Sequence, residues 1–98
     1  MTPNTIPNQT RRAVYARDGY RCALCDSTHY LQIHHYLKRS LGGSDSMHNL
    51  ICLCMDCHCL AHGIPLEGSL FSVDEMEQNI VEYLEDYYLE TWNPWRKE

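Results

Sequence analysis

The sequence lacks any long apolar run. Nothing in it approaches the roughly 20 consecutive apolar residues of a membrane-spanning helix, so no membrane partner is expected. The N-terminus, Met1-Thr2-Pro3-Asn4-Thr5-Ile6, also lacks the basic and apolar regions of a secretory leader. That absence points to a reducing cytoplasm, where paired cysteines serve metal ions more often than disulfides. Positive charge is scarce as well: 8 Lys and Arg stand against 13 Asp and Glu, a net charge of −5. Such a balance argues weakly against a nucleic-acid binder, but it is unevenly spread. Residues 1–63 carry six basic and four acidic side chains, whereas residues 64–98 carry two and nine. A mildly basic head and a strongly acidic tail are therefore separate surfaces. At 98 residues the apolar core alone gives marginal stability, which makes a metal staple physically useful.

Six cysteines could supply one. Cys22 and Cys25 form one Cys-x-x-Cys pair, and Cys54 and Cys57 form another. Two thiolates three apart reach one tetrahedral ion where the backbone turns tightly between them, so these four residues are the expected ligands of a structural zinc. The 28 residues between the pairs exceed the span of a simple zinc ribbon, so the staple closes around an inserted unit. Cys52 and Cys59 are left over as small buried hydrophobes, or as substitute ligands if the register shifts.

The expected organisation is α+β. Residues 1–7 read as a flexible arm, 8–63 as the main domain, and 64–98 as a linker, an acidic helix and an aromatic tail packed on that domain. A helix is expected from Asn8 to Asp18, capped by Asn8 or Thr10 and stopped by Gly19. Its arginines, Arg11, Arg12, Arg17 and the following Arg21, read equally as a solvated face or as phosphate contacts. Tyr30 to His34 alternates like a strand, Leu37 to His48 is a polar loop with turns at Gly42-Gly43 and Ser44-Asp45-Ser46, and Leu50 to Leu53 is a second strand. The two strands should pair as an antiparallel hairpin.

Cys57 to Gly63 suits a short helix on which His58 and His62, four apart, share a face and can share an ion. Ser72 and Glu75 make a capping box for a helix running to about Glu90, with Met76, Ile80 and Leu84 on its apolar stripe. Glu75, Glu77, Glu82, Glu85, Asp86 and Glu90 face outward, either for solubility or to dock a basic partner. Tyr87, Tyr88, Trp92 and Trp95 divide among core, a homodimer contact and a base-stacking platform. His29 and His48 fall in loops, with solvated or packing roles.

A four-thiolate site leaves His34, His35, His58 and His62 unexplained. Together with Ile33-His34-His35, Gly42-Gly43, Asn49-Leu50-Ile51 and Leu53-Cys54-x-x-Cys57-His58-x-x-x-His62, they make residues 11–63 resemble the HNH nuclease family. Arg12-Ala13-Val14 and Arg17-Asp18-Gly19-Tyr20-Arg21-Cys22 resemble the lead-in helix of members with a four-cysteine zinc. The resemblance implies a ββα-metal (His-Me finger) fold and hydrolysis of DNA to a 5′ phosphate and a 3′ hydroxyl. It further implies that His34 and His58 ligate the catalytic cation, that His62 is an additional ligand, that His35 is the general base, and that Asn49 fixes the loop orienting it. Residues 64–98 lie outside the match.

The implied roles suit the chemistry. A phosphodiester repels nucleophiles and has a poor leaving group, so its hydrolysis needs an activated water and a cation. Three imidazoles without a carboxylate favour zinc, nickel or manganese over magnesium. Lys38 and Arg39 read equally as contacts to flanking phosphates or as ordinary loop charges. The expected function is a DNA endonuclease or nickase of low sequence specificity, in a bacterial or phage-infected cell. The alternative is a zinc-stapled, non-catalytic adaptor, by analogy a partner of a phage DNA-packaging terminase.

Overall fold

A computed structural model describes residues 6–96. Helix α1 (Asn8–Arg17) leads to strand β1 (Gln32–His35), strand β2 (Leu50–Leu53), helix α2 (Met55–Ala61) and helix α3 (Met76–Tyr88). The described residues are thus α+β, with one two-stranded sheet and three α-helices. Single 3-10 turns at Arg39–Leu41, Met47–Asn49, Val73–Glu75 and Leu89–Thr91 shape the connections. No helix among the described residues is long and apolar enough to cross a membrane.

The strands pair antiparallel, with Gln32 opposite Leu53, Ile33 opposite Cys52, His34 opposite Ile51 and His35 opposite Leu50. Because side chains alternate along a strand, Gln32 and His34 share one face and Ile33 and His35 the other. Strand β2 is buried throughout, so its four residues serve both faces of the sheet. On one face Ile51 and Leu53 join Leu60 of α2 and Met76, Ile80 and Leu84 of α3 in the main core. On the other, Leu50 packs with Val14 of α1 and Ile6, flanked by Ile33 and Met47.

The anticipated arm is divided by this second cluster. Residues 1–5 lie outside the described ones, but Ile6 is buried and anchors the approach to α1. Helix α1 starts after Pro7 without a side-chain cap, rather than from Asn8 or Thr10, since a proline supplies the helical start without an N–H to satisfy. Gly19 takes the left-handed conformation expected of a stop, with φ +75°. Helix α2 begins two residues earlier than its sequence pattern suggests. Cys54 is its N-cap, accepting from the Cys57 N–H, so the second cysteine pair straddles a helix start. The Ser72–Glu75 capping box forms as read, ahead of α3.

The acidic side chains of α3 point to solvent and its Met76, Ile80 and Leu84 stripe faces the core. Leu89, at φ 54°, ends this helix before Glu90. Beyond it the tail folds back: the Trp92 indole donates to the His48 carbonyl at 2.8 Å, and Ser44 Oγ donates to the Pro94 carbonyl at 3.3 Å. His48 stacks on Tyr88, with ring centroids 3.9 Å apart, which is a packing role. Tyr87 and Trp95 remain exposed.

Candidate metal centres and the histidine cleft

The two cysteine pairs meet at the end of the hairpin. A tight turn after Cys22, closed by Asp26 N–H to the Cys22 carbonyl and Cys22 N–H to the Ser27 carbonyl, presents Cys22 and Cys25. The Ala23 N–H bonds the Cys52 carbonyl, which ties this turn to β2 beside the start of α2, where Cys54 and Cys57 wait. All four sulfurs lie within 4.8 Å of one another. Around a tetrahedral ion with metal–sulfur bonds of about 2.3 Å, sulfurs sit roughly 3.8 Å apart; those of Cys25 and Cys54 are 3.6 Å apart. The cluster therefore fits one structural metal ion.

Its protonation is uneven. The bond from Cys57 and then the N–H groups of Cys54, Leu24 and Cys25 outweigh burial and pull the Cys22 thiol down to about 4. Its partner Cys57 is pushed far up, first by that same shared proton and then by burial. Burial likewise lifts Cys25 to about 11. Four thiolates so close repel one another, and a cation that binds them must release protons. Cys52 and Cys59 stay outside the cluster. Burial, and then Asp18, push the Cys52 thiol up to about 12, so it behaves as a small apolar group.

A second cluster joins β1 to the other end of α2. His34 of β1, His58 of α2 and His62, which caps the end of α2, bring one nitrogen each within 4.8 Å of the others. The Nε2 atoms of His58 and His62 are 3.0 Å apart, and the His34 ring meets both rings edge-on at centroid distances of 5.1 and 5.0 Å. Nitrogens sharing a tetrahedral ion at about 2.0 to 2.1 Å would be roughly 3.3 Å apart, close to this spacing. Burial first, then the neighbouring His58, His62 and His35, hold His34 down to about 3; burial and His62 lower His58 too. Both are therefore neutral near pH 7, the form that can donate a lone pair to a metal.

Gln32, which the sequence reading passes over, orients one of them. Its Oε1 contacts His58 Nδ1, so that nitrogen carries the proton and Nε2 keeps its lone pair toward the cluster. Gln32 and His34 can both serve the cluster because they share a strand face.

His35 is not among the three convergent imidazoles. It lines, with His34, His58, His62, Lys38 and Arg39, a cleft of about 510 Å³. The loop beside it is latched by Asn49, which is wholly buried: its Oδ1 accepts from Leu37 N–H at 2.7 Å, and its Nδ2 donates to the carbonyls of Leu37 and Ser44 at 2.9 and 2.8 Å. Gly43 permits that closure, since a Cβ there would stand 2.0 Å from the Leu37 carbonyl oxygen. His29 is exposed and belongs to neither cluster.

The basic residues divide sharply. Lys38 and Arg39 are exposed at the cleft. Arg12 is exposed on α1 and does not line the cleft. Arg17, expected either on a solvated face or at a phosphate, has a side chain only 1% exposed. It pairs with Asp18 at 2.7 Å and donates to the carbonyls of Met47 and Leu50 and to the Tyr88 hydroxyl. Its donors are consumed inside the protein. Asp18 in turn accepts from the Cys52 N–H and the Tyr83 hydroxyl, both at 2.8 Å.

Against protein-family models, curated proteins and solved structures, the chain finds no match. The two donor clusters and the cleft must therefore carry the functional reading by their own chemistry.

Proposed function

We propose that this chain is a metal-dependent DNA endonuclease or nickase of the HNH type, with a ββα-metal site and a structural zinc on Cys22, Cys25, Cys54 and Cys57. The observation that supports it most is the pairing, in one cleft, of three convergent imidazoles with a fourth, His35, that does not join them. A pure scaffold has no need of a separate imidazole beside a candidate cation site. The order β1, β2, α2 and the Asn49 latch agree with this reading.

In this mechanism His35 takes a proton from water as the water oxygen attacks phosphorus. The bond from phosphorus to the 3′ oxygen breaks and that oxygen takes a proton from solvent, leaving a 5′ phosphate and a 3′ hydroxyl. His34, His58 and His62 would hold a divalent cation, which would supply charge stabilisation for the phosphate and the departing oxygen. Asn49 keeps the loop, and so the base, in place. Lys38 and Arg39 attract the flanking phosphates, and the small surface leaves little room to read bases. The soft donor set favours zinc, nickel or manganese over magnesium.

The exposed acidic face of α3 favours a second reading, in which the same zinc-stapled fold is an adaptor that docks a basic protein partner such as a DNA-packaging enzyme. Plasmid nicking across a metal series separates the two. The nuclease reading expects nicking of supercoiled DNA, best with a transition-metal ion, and loss of that nicking in His35→Ala with the fold intact. Plasmid left whole with every ion tried would favour the adaptor.

A further inference from the structure

Asp45 stands in the polar loop and, by sequence, marks only a turn. In the fold its Oδ1 lies 2.8 Å from His35 Nε2 and accepts from Arg39 Nε at 3.0 Å. A carboxylate ion has no proton to give, so His35 Nε2 must be the protonated nitrogen and Nδ1 the ring's only acceptor. The placement of Asp45 is secured from both sides. Asn49 Nδ2 grips the carbonyl of the preceding residue, Ser44, and the following Ser46 N–H bonds Ser44 Oγ.

We propose that Asp45 is the positioning residue of the site: it fixes the ring orientation and tautomer of His35, with Arg39 holding the carboxylate, so that Nδ1 receives the proton of the attacking water. This rests on reading His35 as the base. Partial burial alone would raise the Asp45 carboxyl, yet the bonds from Arg39 and His35 hold it below the usual carboxylate range. The negative charge beside Nε2–H also stabilises the imidazolium that forms as Nδ1 is protonated, without itself taking a proton. Asn49 thereby acts on His35 through a chain of contacts, Asn49 to Ser44 to Asp45 to His35. Arg39 gains a role distinct from phosphate binding, since its Nε is engaged by Asp45.

The test uses the full chain with its four-thiolate metal retained, comparing wild type, His35→Ala, Asp45→Ala and Asp45→Glu. A half-buried, charge-assisted Nε2–H should give a downfield imidazole proton resonance on His35, absent from Asp45→Ala and restored at least in part by Asp45→Glu. In plasmid nicking, Asp45→Ala should lower kcat roughly 10 to 100-fold with little change in KM, as expected when the partner orienting a functional imidazole is removed. Asp45→Glu should recover part of that loss.

A resonance that persists in Asp45→Ala overturns the proposal, whatever the activity. Loss of nicking in His35→Ala with wild-type kcat in Asp45→Ala also overturns it, and leaves His35 as the base. Nicking that survives His35→Ala defeats the underlying assignment of the base, and the role of Asp45 falls with it.

Discussion

The side chain of Asn49 and the backbone of Leu37 hold each other in both directions, with Leu37 N–H donating to Asn49 Oδ1 at 2.7 Å and Asn49 Nδ2 returning to the Leu37 carbonyl at 2.9 Å. A buried amide so engaged fastens the two ends of the loop that flanks His35.

Asn49→Ala should therefore leave the Leu37 N–H and two carbonyls without partners. Each buried unsatisfied group costs about 1 to 3 kcal/mol. The loop has one cheaper escape, which is to open toward water, and then His35 loses its setting. The expected result is a modest drop in thermal midpoint with a roughly 100-fold fall in nicking, the scale of loss that an ångström of misplacement produces. Circular dichroism and the plasmid assay together check it; unchanged activity would detach Asn49 from the site.

Replacing Cys22 by Ser should remove the metal and the fold together. Structural zinc sites are worth roughly 10 to 16 kcal/mol in small peptides, on the scale of the whole ~5 to 15 kcal/mol stability of a typical domain. Metal content by atomic emission and cooperativity of urea unfolding are the readouts. A variant that unfolds cooperatively at the wild-type midpoint would show that the sulfurs are dispensable.

Arg17→Met should destabilise the protein by about 3 to 5 kcal/mol, because it strands the buried Asp18 carboxylate without its cation. Its effect on nicking should follow the unfolded fraction. A weaker salt dependence of DNA binding in the folded variant would instead restore Arg17 as a phosphate contact.

Protonation of His34 sets an acid limit for protein stripped of metal at the histidine cluster. The folded state holds this ring near 3, mainly by burial, against an ordinary value of 6.5. The unfolded chain thus takes up the proton first as pH falls. Stability from this group is complete above about 6.5 and is lost progressively down to about 3. Chemical unfolding of wild type and His34→Gln across that interval measures it: the wild-type curve should fall more steeply on the acid side, and parallel curves would contradict the burial of a neutral ring.

The parts of this fold that were legible in the sequence depend on short-range rules. Two Cys-x-x-Cys pairs announce one sulfur site because spacing alone fixes their reach. His58 and His62 announce a shared face because a helix turn does, even though α2 starts earlier than its apolar pattern indicates. Strand β2 and the Ser72 capping box follow from local sequence in the same way. Arg17 resembled its neighbouring arginines, and only the packing of β2 and α3 around it shows which one is buried. Gln32 and Asp45 were invisible for a related reason. Their partners, His58 and His35, are 26 and 10 residues away, and nothing local marks a glutamine or a turn aspartate as the keeper of an imidazole.

Residues 92–94 close over the loop that holds Asp45 and Asn49, through Trp92 on the His48 carbonyl, Asn93 N–H on His48 Nδ1 and Ser44 on the Pro94 carbonyl. The stiffness of that loop is thus tied to the docking free energy of these three residues. Asn49 fastens its inner edge and residues 92–94 hold its outer edge, so the setting of Asp45 draws on contacts from both.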